Sequence, residues 1–206
     1  MNYEIVVATS NPNKIKELQA IVQPYTLTLI SLKDIQLKLN IKETGTTFLE
    51  NALIKAREVA KKVNKTVIAD DSGLQIEVLK GFPGVHSSRF MEGHPYEVKN
   101  AEILNMMKIH KNRKAQFSCA MVILYPDKET RFFIGATGGK IAQDISSSQQ
   151  GFGYDPIFYS DEIKKTFAEA TLEEKNEISH RGRAMKKIIQ CLLDKDLIKK
   201  IKPGRP

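Results

Sequence analysis

Two adjacent carboxylates, Asp70 and Asp71, follow the short apolar run Val67-Ile68-Ala69 and precede Ser72-Gly73-Leu74. Successive side chains of an extended segment point to opposite faces, so the two acids cannot point the same way. At a strand end, one of them can hold Mg²⁺ or activate a water while the other braces the loop. Asp-Ser-Gly is also good turn chemistry, and a plain Asp-rich turn is the alternative. A second polar cluster is Ala8-Thr9-Ser10-Asn11-Pro12-Asn13-Lys14, which feeds small polar residues from a strand into a helix N-terminus. Free N–H groups and the positive end of the helix dipole attract anions there. Lys14 adds a point charge suited to a phosphate. The competing reading is a simple N-cap with an exposed lysine. The pattern G-x-x-x-x-G-K-[ST] is absent, so this is not a P-loop.

Three further clusters bear on chemistry. In Glu43-Thr44-Gly45-Thr46-Thr47-Phe48-Leu49-Glu50-Asn51-Ala52, Glu43 stands just ahead of a helix. It can share a Mg²⁺ with Asp71, because Mg²⁺ commonly takes one or two carboxylates plus substrate oxygens. Glu50 has a ready structural role in a capping box and ranks below Glu43 as a ligand. In Gly151-Phe152-Gly153-Tyr154-Asp155-Pro156 an aromatic lies between glycines. Such a ring can lie flat against a nucleobase, a contact that contributes roughly 1–3 kcal/mol, or it can be a buried aromatic turn. No G-x-x-G helix follows, which excludes a dinucleotide fingerprint. In Lys175-Asn176-Glu177-Ile178-Ser179-His180-Arg181-Gly182, Lys175, His180 and Arg181 offer donors to base carbonyls or phosphates. A surface helix start is the plainer reading.

These clusters fall at the ends of recognisable elements. Residues 4–8 predict a buried strand, and Asn11-Pro12 starts a helix whose apolar face is Ile15, Leu18, Ile21 and Val22. Leu27 to Ile30 predicts a second strand. Thr47 and Glu50 have capping-box spacing and open a helix to about residue 63, with Leu49, Ala52, Leu53, Ala56, Val59 and Val63 as its stripe. Val67–Ala69 and Leu74–Leu79 predict strands around the acidic turn, and Gly81-Phe82-Pro83-Gly84 a tight turn. Pro95 to His110 predicts a helix. Ala115–Tyr125 and Thr130–Ile141 predict an antiparallel hairpin joined by Pro126-Asp127-Lys128-Glu129. A Gly/Ser/Gln-rich loop covers 144–153, and a last helix runs from near Ser179 to about Leu193. Early strand–helix alternation followed by a hairpin predicts an α/β domain with a mixed sheet and a second, more antiparallel lobe. A cleft between such lobes is a natural ligand site.

Composition narrows the class. The 206 residues suit one sizeable domain or two tightly packed lobes, and 41% hydrophobic with 27% charged residues is ordinary for a soluble globular protein. No apolar run is long enough for a spanning helix, and the N-terminus lacks the pattern of a secretory signal. Cys119 and Cys191 lie in apolar runs, which fits a reducing cytoplasm better than a disulfide framework. The four histidines show no zinc-ligand spacing. The net charge of +8 favours anionic partners. Much of the excess sits late, at Lys186-Lys187 and in a basic tail over 196–206. A nucleic-acid-binding protein is the rival class, but no RNA-binding, zinc-finger or helix-turn-helix signature occurs and the aromatics are not interleaved with the basic runs.

The order of the clusters is more specific than any one of them. A-T-x-N-x-x-K, then E-T-G-x-T-F-x-E-N-A, then A-D-D-S-G-L with P-G-V-x-S-x-R-F, then G-F-G-Y-D-P-I-F, then K-N-x-x-S-H-R-G occur in succession from residue 8 to about 184. This resembles the inosine triphosphate pyrophosphatase family, the noncanonical purine (dITP/XTP) pyrophosphatases. The resemblance implies a two-lobed α/β fold around a long mixed sheet with flanking helices, an active-site cleft between the lobes, and one such domain over 1–195. It implies a Mg²⁺-dependent hydrolase, usually a homodimer, that converts ITP, dITP or XTP to the monophosphate and pyrophosphate. Carried onto this sequence, Thr9, Asn11 and Lys14, with Ser10, Pro12 and Asn13 in the same turn, hold the triphosphate. Glu43 and Asp71 serve the metal, Asp71 is also the base, and Ser72 contacts substrate. Phe152, Gly153, Tyr154, Asp155, Lys175, His180 and Arg181 form the base pocket. Glu50, Asp70 and Arg89 are secondary candidates. Ser10 and Ser88 stand where the family commonly has Gly and Ala. A Maf-type nucleotide pyrophosphatase, with other base preferences, is the nearest alternative; the Ser-His-Arg-Gly stretch argues against it.

Overall fold

The computed structural model describes residues 2–148 and 150–201. Its first helix starts where the residue chemistry requires. Asn11 accepts from the N–H groups of Asn13 and Lys14 at 2.9 and 3.4 Å, and Pro12 takes the first helical position of α1 (Pro12–Val22). Proline there loses no hydrogen bond, and the Asn oxygen satisfies orphan donors. The strands β1 (Tyr3–Val7) and β2 (Leu27–Ser31) flank α1 in sequence and pair in parallel. Helix α2 (Phe48–Ala60) opens on the expected capping box of Thr47 and Glu50. It ends at Ala60, earlier than the apolar stripe suggests, because Val63 packs against the same apolar cluster from beyond the helix end.

Two other elements differ from expectation. The acidic residues do not lie on a turn: β3 (Thr66–Ile76) is one strand that runs through Asp70, Asp71, Ser72 and Gly73, and Glu77–Leu79 forms a short 3-10 turn instead of extending it. Aspartate is a poor strand former, but each of these acids meets a lysine, and tertiary pairing overrides propensity. Helix α3 (Tyr96–Met107) and the long strands β4 (Lys114–Leu124) and β5 (Thr130–Ile141) follow as predicted. Short strands β6 (Phe158–Ser160) and β7 (Lys165–Thr166) complete the sheet. Helix α4 (Leu172–Ile178) was not anticipated. Its signal was present, since Thr171 and Glu174 form a second capping box. Helix α5 (His180–Asp194) follows directly.

The strands form a mixed sheet in the order β2-β1-β3-β4-β5-β6-β7. β1 pairs in parallel with β2 and β3, whereas β6 pairs antiparallel with β5 and β7. The long mixed sheet with flanking helices is thus the one expected. The described residues divide into two compact units. One comprises the chain up to Asp71, Ala120–Ile134 and the stretch from Gly182; the other comprises Ser72–Cys119 and Gly135–Arg181. In the first, Ala52, Ala56 and Val59 of α2 pack on Val6, Ala8, Val67, Ala69, Val122 and Leu124. In the second, Ile103 and Met107 of α3 pack with Leu74, Ile76, Phe117, Ile141, Phe158 and Phe167. Part of the basic tail is docked: Ile198 is buried, and Lys199 and Ile201 bond to the backbone at Thr26 and Pro24. Lys202–Pro206 lie outside the described residues.

Adjacent glycines of β5 provide a test of this packing. A Cβ at Gly139 would lie 2.3 Å from the Tyr159 carbonyl oxygen of β6, whereas one at Gly138 would meet nothing within 4 Å. Gly139→Ala is expected to destabilise the protein by about 1–3 kcal/mol, and Gly138→Ala to stay within about 0.5 kcal/mol of the parent. Urea denaturation midpoints check the contrast.

Candidate functional site

Strand alternation places the acids of the first unit. Val67 and Ala69 face α2 in the apolar cluster, so Asp71, two residues on, meets α2 as well. There its Oδ2 accepts from Asn51 Nδ2 at 3.1 Å, and its Oδ1 lies 3.5 Å from Lys55 Nζ. Asp70 takes the opposite direction and pairs with Lys14, in the first turn of α1, at 2.9 Å. Both acids are buried. The same parity delivers Glu43. From Ile35 to Gly45 the odd-numbered residues are partly buried and the even-numbered ones exposed. Ile35, Leu37, Leu39 and Ile41 pack on the apolar cluster, which turns Glu43 inward to Lys55 at 3.0 Å. Gly45 then donates to Asn51 Oδ1 at 2.8 Å. A Cβ at Gly45 would lie 2.6 Å from the Glu50 Cβ, so a bulkier residue does not fit.

Two cations hold this cluster of three acids. Burial alone would pull the Lys55 ammonium down, but Asp71, Asp70 and Glu43 outweigh it and hold Lys55 above its ordinary value. Burial pushes the Asp71 carboxyl above its ordinary value, opposed by Lys55 and Lys14. Thr9 accepts from the Asn11 N–H at 3.2 Å, which fixes the turn that leads into Lys14. Ser10, Pro12 and Asn13 of that turn are exposed. Glu50 is committed to capping, since Oε2 accepts from Thr46 N, Thr46 Oγ1 and Thr47 N at 2.7–3.1 Å.

The second unit builds an aromatic and cationic cluster. Lys175 Nζ pairs with Asp155 Oδ2 at 2.5 Å, and both side chains are buried. The same oxygen accepts from the Phe152 N–H at 2.8 Å. Gly151 makes that turn possible: its φ is +81°, and a Cβ there would lie 2.8 Å from Asp155 Oδ2. Lys175 Nζ stands 4.5 Å and Arg181 Cζ 5.9 Å from the Phe152 ring centre, so the ring carries cations against its face. Arg181 also donates to Ser72 Oγ at 2.9 Å. His180 is buried and stacks on Phe117 at 4.7 Å. Tyr154 serves as a strut: its ring is buried edge-on to Tyr96 at 5.4 Å, and its hydroxyl donates to the Ser87 carbonyl at 2.8 Å. Burial pushes the Tyr154 phenol well above its ordinary range, which keeps that donor in place. Gly153 O accepts from Asn100 Nδ2 at 3.1 Å. Arg89 bonds to the carbonyl of Val85 in its own turn.

The sequence pattern of the Ham1 family matches residues 5–191. This chain belongs to the Ham1 family. A Bacillus subtilis (strain 168) relative, named dITP/XTP pyrophosphatase, is 46% identical over 192 residues, covering 92% of this chain and 96% of the relative. The structure of the Staphylococcus aureus Ham1 protein superposes with a TM-score of 0.81 at 39% identity, covering 94% of this chain and 99% of that one. A HAM1 protein from Coxiella burnetii superposes with a TM-score of 0.84 at 35% identity, covering 93% and 99%.

Within this Ham1 chain, Lys14, Asp70, Asp71 and Glu43 cluster in one unit, and Phe152, Asp155, Lys175, Arg181 and Ser72 in the other. Sequence reasoning missed Asn51 and Lys55. Both lie on α2, one helical turn apart, beside the fully buried Ala52 and Ala56. Polar residues at i and i+4 flanking two small buried positions were the available signal. Lys55→Met tests the electrostatics. Without its largest opposing cation, the Asp71 pKa is expected to rise further, which carboxyl NMR titration reads. A raised carboxylate pKa favours the folded state only while the group is protonated. The stability deficit of the variant should therefore be small below pH 3.8 and grow as pH rises through the carboxylate range, to roughly 2–4 kcal/mol at neutral pH.

Proposed function

We propose that this chain hydrolyses noncanonical purine nucleoside triphosphates, ITP, dITP and XTP, to the monophosphate and pyrophosphate. The observation that carries the reading is the buried lysine–carboxylate cluster, in which consecutive strand residues, Asp70 and Asp71, are each held against a lysine. The dITP/XTP pyrophosphatase relatives supply the reaction class. Lys14, at the start of α1, takes phosphate oxygens, and the Thr9–Asn13 turn presents polar groups beside it. Asp71 accepts the proton of the water that attacks the α-phosphorus.

The donor set suits a divalent cation, Mg²⁺ in this reading. Glu43 and Asp71 converge on the single ammonium of Lys55, and two carboxylates plus substrate oxygens are a usual Mg²⁺ set. When bound between them, the ion would neutralise phosphate charge and acidify its water. Among the described residues no helix is long and apolar enough to cross a membrane. The buried, non-disulfide cysteines Cys119 and Cys191 support a cytoplasmic setting, and family resemblance supports a homodimer.

Base selection follows from donors. Hypoxanthine and xanthine present a 6-keto acceptor where adenine presents an amine. Lys175 and Arg181 offer donors to the former, and the adenine amine meets them donor to donor. Phe152 stacks on the base.

The deciding measurement is pyrophosphate release from ITP and ATP at equal concentration, with Mg²⁺ and with chelator. Fast Mg²⁺-dependent release from ITP and little from ATP is expected; equal rates, or none from folded protein, would overturn the reading. Asp71→Asn should lower kcat by at least about 10²-fold while ITP affinity, read by calorimetry, stays within a few fold. Arg181→Ala should raise KM for ITP and narrow the ITP/ATP ratio, and an unchanged ratio removes Arg181 from base reading.

A further inference from the structure

We propose that Asn51 is the positioning residue of the reaction: it aims the Asp71 carboxylate and locks it to the segment that carries Glu43. The inference rests on the role proposed above for Asp71. Asn51 is fully buried, and both ends of its amide are engaged. Its Oδ1 is claimed by the Gly45 N–H at 2.8 Å, which leaves Nδ2 as the only group that can face Asp71 Oδ2, 3.1 Å away. A flipped amide would set oxygen against carboxylate and NH₂ against N–H, so the network determines the orientation. Gly45 can approach because it has no Cβ; one would lie 2.7 Å from Asn51 Oδ1.

Lys55 cannot do this work. An ammonium is a rotatable point charge, and at 3.5 Å it attracts the Asp71 carboxylate without fixing its plane. The amide N–H is directional. The two residues therefore divide the task from successive turns of α2, Lys55 supplying charge and Asn51 supplying aim. They also close a ring, because Glu43 bonds to Lys55 while Gly45, two residues on, bonds to Asn51.

Two substitutions separate aim from anchoring. Asn51→Asp keeps an oxygen for the Gly45 N–H and, while ionised, offers Asp71 no donor; Asn51→Ala removes both bonds. With ITP as substrate, both variants should lose about 30–100-fold in kcat with KM within threefold of the parent. In amide hydrogen exchange, Gly45 should stay protected in the aspartate variant and lose protection in the alanine variant. Retention of more than a third of the parental kcat by Asn51→Asp with Gly45 protected, or by Asn51→Ala alone, would show that Asn51 only anchors the loop and overturn the proposal. An effect confined to KM would do the same. Should Asn51→Asp not fold, the kcat and KM of Asn51→Ala decide. A parent that does not hydrolyse ITP, or an active Asp71→Asn, defeats the functional reading itself and is told apart by those two controls.

Discussion

Asp70 and Asp71 occupy consecutive positions of a buried strand, and neither anion can remain there without a cation. Desolvation opposes the charged form of a buried carboxylate by several kcal/mol. Because the strand sends the two side chains to opposite faces, the cations must come from different helices: Lys14 from α1 and Lys55 from α2. That requirement explains much of the local sequence. Helix α1 must begin at Pro12 for Lys14 to fall in its first turn, and the Asn11 cap sets that start. Helix α2 must begin at Phe48 for Asn51 and Lys55 to share the face turned to β3, and the capping box of Thr47 and Glu50 sets that one.

The second unit answers the same constraint differently. Asp155 and Lys175 neutralise each other inside the unit, and the carboxylate spends further capacity on the Phe152 N–H. The ion pair thereby becomes part of the turn that presents Phe152. Glycine at 151 allows the carboxylate to fold back beneath its own loop. Thr137, buried, donates to the Ile178 carbonyl at the end of α4, just before His180 and Arg181. Each unit also uses one buried asparagine on a helix to hold a glycine loop: Asn51 binds Gly45 and Asn100 binds Gly153.

Much of this was legible in the chain. Asn11-Pro12 and the Thr47–Glu50 box located two helix starts because capping is local chemistry, and the ordered motifs identified the Ham1-type α/β sheet. What escaped depended on contacts remote in sequence. The acidic stretch reads locally as a turn and becomes strand only because Lys14 and Lys55 meet it from 56 and 16 positions away. Lys55 and Asn51 were passed over although their i, i+4 spacing beside Ala52 and Ala56 marks one face of α2; which charge that face meets depends on strands far along the chain. Tyr154, placed in the base pocket by family resemblance, buries its hydroxyl against the Ser87 carbonyl, a bond spanning 67 residues that no local pattern announces. Helix α4 was overlooked although its box, Thr171 to Glu174, is as local as the other.

The segment from Ile35 to Gly45 brings Glu43 to its place without belonging to any helix or strand. Its hold on the unit comes chiefly from Ile35, Leu37, Leu39 and Ile41. Apolar attachment of this kind is entropic near room temperature and weakens on cooling, whereas helices and paired strands keep their backbone hydrogen bonds. Cooling therefore weakens the apolar part of the attachment and leaves a larger share of the hold on Glu43 to two polar bonds, Glu43 to Lys55 and Gly45 to Asn51.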